Sequence, residues 1–112
     1  MPVVELTTRG RRSGEDRQAL LTVAARDGAA LVIVASRGGD DAHPAWYLNL
    51  VEEPRVLVGA PGATPRSMRA RTADDAERDR LWPEVVSSYS GYAQYQRKTA
   101  RQIPLVILEP DR

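Results

Sequence analysis

Apolar residues run along this chain in short stretches, each bounded by glycine, proline or charge, a spacing that predicts strands more than helices. Residues 3–7 are β-branched and apolar and read as a strand. Residues 8–14 then form a turn whose two glycines can take positive φ. Two further apolar runs, 19–25 and 29–36, flank Arg26-Asp27-Gly28, and Asp-Gly between such runs predicts a hairpin. The second run is apolar at every position from Ala30 to Ala35, as a strand buried on both faces requires.

Helical spacing begins near Pro44, which suits the first turn of a helix because its missing N–H would be unpaired there. Trp46 with Leu50 and Tyr47 with Val51 are i,i+4 pairs, and Pro54 stops the segment. Residues 55–60 and 67–72 predict a strand pair across a Gly/Pro-rich loop, 61–65. Thr72-Ala73-Asp74-Asp75 has capping-box spacing, and the acids after it suit a helix N-terminus. Trp82, Val85, Val86 and Tyr89 then share one helical face, with Pro83 starting a new turn or kinking it. After Ser90-Gly91, a second helical stretch carries Tyr92, Tyr95 and Thr99. Residues 103–108 form a last strand, with Pro104 at its start or on an edge. Hairpins interrupted by short helices, without a regular βα crossover, predict a mainly β chain of the α+β kind, a closed or split antiparallel barrel.

Composition narrows the function. A length of 112 residues fits one domain, 1–112, and a 42% hydrophobic content supplies one core. A net charge of +1 argues against a nucleic-acid binder. The chain has no cysteine, which excludes disulfides, thiolate metal sites and cysteine nucleophiles, and its single histidine, His43, excludes a histidine-cluster metal site. No metal site is expected. No apolar run approaches the roughly 20 residues of a membrane span, and no signal-peptide core is visible, so a cytoplasmic location is the default expectation.

Four segments carry candidate chemistry. The first turn holds Arg9, Arg11, Arg12 and Arg17 against Glu15 and Asp16. Arginine presents a planar fork of donors to phosphate or carboxylate, and Ser13 and Gly14 can add hydroxyl and backbone donors. A solvated charged loop would look the same. Ser36-Arg37-Gly38-Gly39 ends an apolar strand with a hydroxyl, a cation and two glycines, which allows a ligand close to the backbone or marks an ordinary turn. Around His43-Pro44-Ala45-Trp46, the tryptophan reads as core or ligand shelf, Asn49 as a group able to bond a ring edge, and His43 as a proton donor or a plain loop residue. Tyr89, Tyr92 and Tyr95 fall on one side if helical turns hold through Gly91. They would then line an aromatic pocket and donate protons, or simply pack with their hydroxyls at the surface.

Taken in order, these segments resemble the deazaflavin-dependent nitroreductase family, which binds coenzyme F420 on a split, FMN-binding-like antiparallel β-barrel. The resemblance rests on Thr7-Thr8-Arg9-Gly10-Arg11-Arg12-Ser13-Gly14, on Val34-Ala35-Ser36-Arg37-Gly38-Gly39, on His43-Pro44-Ala45-Trp46-Tyr47-Leu48-Asn49-Leu50, on Tyr92-Ala93-Gln94-Tyr95-Gln96-Arg97-Lys98-Thr99, and, at the C-terminal strand, on Arg101-Gln102-Ile103-Pro104 and Leu108-Glu109-Pro110. It implies that Arg12, Ser13, Gly14 and Arg17 hold the phosphate and acidic tail. Ser36, Arg37, Gly38 and Gly39 would border the ring and its linker, with Pro44, Ala45, Trp46 and Asn49 flanking the deazaflavin. Tyr89, Tyr92 and Tyr95 would face the acceptor, and a tyrosine or Ser36 would supply the proton. The implied reaction is hydride transfer from the reduced deazaflavin to an electron-poor acceptor such as a quinone or nitroaromatic. The other readings are a non-enzymatic carrier of F420, or a binder of FMN or another ligand on the same barrel. The implied partners are small molecules, with the protein a monomer or homodimer and no membrane association evident. Members usually carry an N-terminal segment that helps cover the substrate side, whereas this sequence opens almost at its first strand. Arg37 stands where many relatives have lysine.

Overall fold

The computed structural model describes residues 2–111. Seven strands form one sheet in the order β2-β1-β5-β6-β7-β4-β3, every pairing antiparallel. They are β1 (Val3–Arg9), β2 (Asp16–Thr22), β3 (Ala25–Asp27), β4 (Ala30–Val34), β5 (Arg55–Gly59), β6 (Arg66–Thr72) and β7 (Leu105–Pro110). The helices are α1 (Ala45–Glu52), α2 (Asp75–Ser88) and α3 (Gly91–Arg97), with a 3₁₀ turn at Arg37–Gly39.

The hairpin expected between 19–25 and 29–36 divides in two. Asp16–Thr22 pairs along its whole length with β1, and only Ala25–Asp27 pairs with β4, around Gly28 at φ +61°. Between them, the Val23 N–H donates to the Pro2 carbonyl and the Ala24 N–H to that of Val32. The apolar run therefore crosses from one edge of the sheet to the other. That crossing curls the sheet into a half-barrel and brings β2 up to β4.

Strand alternation sorts the core into two layers. Leu31, Ile33, Val106 and Leu108 point inward to meet Leu6, Val56, Val58 and Met68 inside the barrel. Val32, Val34, Leu105 and Ile107 point outward and are covered by Leu81, Val85 and Tyr92 from α2 and α3. β4 is thus buried on both faces, which explains its unbroken apolar run.

Several boundaries differ from the sequence reading. β1 continues to Arg9, so the turn spans residues 10–15, and only Gly14 of its two glycines has a positive φ. Pro44 is the N-cap of α1 rather than its first residue. The helix cap falls at Asp74, not Thr72: its carboxylate accepts from the Glu77 N–H at 2.8 Å while Glu77 accepts from the Asp74 N–H at 3.0 Å. α2 runs through Pro83 unbroken, with Leu81 and Val85 buried on either side of it. Thr99 lies beyond α3, and β7 begins at Leu105, just after Pro104, in the interior of the sheet.

Candidate active site

Two clefts open side by side and share Trp46. One, of about 400 Å³, is lined by Arg11, Arg12, Ser13, Arg17, Ala45 and Asn49 together with Gly10, Gln18, Ala19 and Trp46. The other, of about 540 Å³, is walled by Ser36, Arg37, Gly38 and Pro44 on one side and by Tyr89, Tyr92 and Tyr95 on another, with Leu20, Leu21, Thr22 and Val34 from the strands. Of the expected site residues, Gly14 and Gly39 line neither cleft; Gly39 borders a separate opening that shares Arg37 and Gly38 with the second one.

The basic cleft is made by the β1–β2 turn folding over the start of α1. Arg12, Ser13 and Arg17 are exposed, so their donors are free to meet an anion from solvent. Arg17 also lies 3.6 Å from Glu15, a loose surface pair. Ser13 Oγ accepts from the Glu15 N–H and tightens the turn. Gly10 is buried in the turn, where a Cβ would sit 2.7 Å from Ser13 Oγ and 3.1 Å from the Glu15 carbonyl and would push the Ser13 side chain aside.

The turn is tied to α1 by Asn49, which is 4% exposed. Its Oδ1 accepts from both the backbone N–H and Nη1 of Arg11, at 3.1 and 3.2 Å. Its Nδ2 donates to the buried Thr8 hydroxyl at 3.2 Å. Asn49 is thus committed to the turn, and Arg11, which reads in sequence like one more surface cation, is half-buried and oriented by it.

The aromatic cleft is assembled from distant segments. Tyr89 is not helical: it caps α2 in an extended conformation, and Tyr92 and Tyr95 follow on α3. The three rings nonetheless converge, with centroids 5.2 to 6.2 Å apart. Gly91 permits this, because a Cβ there would lie 2.3 Å from the Tyr89 ring. Spacing by threes suggested the cluster, but the rings converge across the break between α2 and α3 at Tyr89 and not along a continuous helix.

Burial, chiefly, and then the neighbouring phenols raise the Tyr92 pKa above its ordinary value. The hydrogen bond to Tyr95 raises that of Tyr89. These phenols therefore remain protonated at neutral pH and are competent donors.

Opposite them, Arg37, Gly38 and Gly39 all have positive φ, and the arginine at φ +46° stores strain that a side chain does not ordinarily bear. Nothing lies within 4 Å of where a Gly38 Cβ would be, which leaves the backbone open on the cleft side. Gly39 is the reverse case, since a Cβ would meet the Tyr95 carbonyl at 2.8 Å. His43 lies outside both clefts, and its Nδ1 faces Arg101 Nη1 at 3.1 Å. Burial, and secondarily that cation, lower its pKa, so Nδ1 accepts and does not serve as a proton donor. Among the described residues, no group of acids and histidines gathers to hold a metal, and no helix is long and apolar enough to cross a membrane.

A half-barrel sheet flanked by short helices, with an arginine turn next to an aromatic cleft, defines a split-barrel protein of the flavin and deazaflavin oxidoreductase class. The model of the F420H2-dependent quinone reductase family matches residues 1–110, and the chain belongs to that family. It is accordingly an oxidoreductase whose cofactor is coenzyme F420. An F420H2-dependent quinone reductase of Mycobacterium tuberculosis is 38% identical over 112 residues, covering 96% of this chain and 72% of its own. A solved F420-H2 dependent reductase superposes with a TM-score of 0.82 at 39% identity, covering 96% of this chain and 94% of that one. A second solved structure, described only as a domain-swapped dimer, has the same TM-score and identity and is covered over 80% of its length. An FAD-binding protein of Mesorhizobium loti, at 16% identity and a TM-score of 0.66, shares the fold.

Proposed function

We propose that the basic cleft holds the phosphate and acidic tail of coenzyme F420 and the aromatic cleft its ring, with Trp46 at the junction. The observation that carries this reading is the shared wall: a cleft of arginines and one of aromatics meet at a single side chain. The donor set fits the group. Arg12, Arg17 and Ser13 supply the forked and hydroxyl donors that phosphate and carboxylates need. Trp46, Pro44 and the open backbone at Gly38 suit a flat ring approaching closely.

When bound in reduced form, the coenzyme supplies a hydride. The protein's part is to bind, orient and supply a proton. Arg12 and Arg17 anchor the charged end. The tyrosine wall receives an electron-poor acceptor, a quinone or nitroaromatic, and Tyr92, a buried and protonated phenol, is the leading proton donor to its developing oxyanion. Ser36, across the cleft, is the second candidate donor.

Titration with coenzyme F420 and, separately, with FMN tests the assignment, followed by turnover with reduced coenzyme and menadione. The expected result is selective binding of the deazaflavin and oxidation of the reduced coenzyme by the quinone. Binding of FMN alone would overturn it.

A further inference from the structure

Arg101 lies in the loop between α3 and β7, outside the lining of both clefts. Its guanidinium nonetheless reaches three successive parts of the segment that walls the aromatic cleft. Nε donates to the Asp40 carbonyl at 2.8 Å, Nη2 to that of Ser36 at 2.9 Å and Nη1 to that of Ala35 at 3.2 Å, and Nη1 also meets His43 Nδ1. These bonds close over a segment in which Arg37 is held left-handed at φ +46°, a conformation that persists only where the surroundings impose it. The same segment presses on α3 through Gly39, and Thr99 donates to Asp41 Oδ1 at 2.7 Å from the α3 side.

From this we infer that Arg101 is a positioning residue for the reductase. It fixes residues 36–39 against the tyrosine helix and so sets the spacing between the two walls of the aromatic cleft. The inference rests on the assignment of that cleft to the ring and acceptor. A planar fork is required, because lysine offers a point charge and cannot span carbonyls that lie in different directions. Small misplacements of a cleft wall act on turnover more than on affinity, since the tail is anchored elsewhere.

Arg101→Ala and Arg101→Lys are compared with Arg78→Ala. Arg78 also donates to a backbone carbonyl, that of Ile103, and to Gln96, but it ties α2 to α3 and to the end of the loop before β7, and it lines neither cleft. Three readouts apply: melting temperature, amide exchange of the free protein, and kinetics well below the melting temperature. Both alanine variants are expected to melt lower. Only the Arg101 variants are expected to speed exchange at the Gly39 and Asp40 amides, which bond to Ser36 and Arg37 within the segment. Only they should lower kcat with menadione, by roughly 10- to 100-fold, with a smaller change in coenzyme Kd. A loosened segment with wild-type kinetics would refute the positioning role. Unchanged exchange at those amides would refute the clamp itself. Neither outcome depends on which ligand occupies the basic cleft, which is tested separately by comparing coenzyme binding with and without the phosphate and acidic tail.

Discussion

The two clefts that meet at Trp46 are built in opposite ways. The basic one comes largely from a single hairpin, the β1–β2 turn and the start of β2, with Arg12 and Arg17 exposed and their charge visible in the sequence. The aromatic one draws on β2, β4, the 3₁₀ turn and both ends of the α2–α3 junction, and its shape depends on close contacts at Gly39 and Gly91. Capturing an anion needs charge within reach, and a mobile arginine does that well. Orienting a flat acceptor over a ring needs walls fixed to fractions of an ångström, which only packing and directed hydrogen bonds provide. Binding strength should therefore reside mainly in the first cleft and turnover in the second.

The sharpest way to break that division is Gly39→Val. The substitution puts a Cβ against the Tyr95 carbonyl at φ +86° and should cut kcat about 100-fold, leaving tail binding in place. Steady-state kinetics beside coenzyme titration would check it, and a parallel loss of affinity would erase the distinction. Tyr92→Phe should lower kcat about tenfold, since water or a neighbouring hydroxyl can still donate, with coenzyme Kd nearly intact. On the other side, Arg12→Ala should raise coenzyme Kd about fivefold at low salt and less at high salt, with kcat at saturation unchanged. Equal losses at every ionic strength would mean that Arg12 does not act through charge.

The smallest effect is the control. Asp74→Ala removes the α2 cap and should cost about 1 kcal/mol of stability without touching Kd or kcat. Its box partner, Glu77, is held to a pKa of about 2 by Arg71 first and the Asp74 backbone second. Because the folded carboxyl titrates below the unfolded one, its contribution is complete above pH 4.5 and is lost as pH falls toward 2. Glu77→Gln should flatten stability across that window, as acid titration of the melting temperature would reveal.

What could be read from the sequence follows the same division. The arginine turn, the doubly buried β4 and the short α1 all have local signatures, and each is found at or near its expected place. The division of the apolar run at Val23-Ala24 was not legible, because only the closure of the half-barrel requires it. The cap at Asp74 was obscured by an equally good spacing two residues earlier. α2 passes Pro83 because buried Leu81 and Val85 hold both sides of it, a tertiary effect that overrides local propensity. The ties that shape the site, Arg101 to residues 35–43 and Asn49 to Arg11, span 38 to 66 positions and leave no periodic trace. Arginine there looks like any other surface cation.

If one cofactor spans both clefts, its tail occupies the first and its ring the second. The most direct test compares coenzyme F420 with the same deazaflavin lacking its phosphate and acidic tail, on the wild-type protein and on a variant carrying Arg12→Ala and Arg17→Ala together. Removing the tail should cost the wild-type protein much of its affinity and the double variant little, with ring binding retained in both. An equal loss in both proteins would place the tail outside the basic cleft and rule out a cofactor that spans the two.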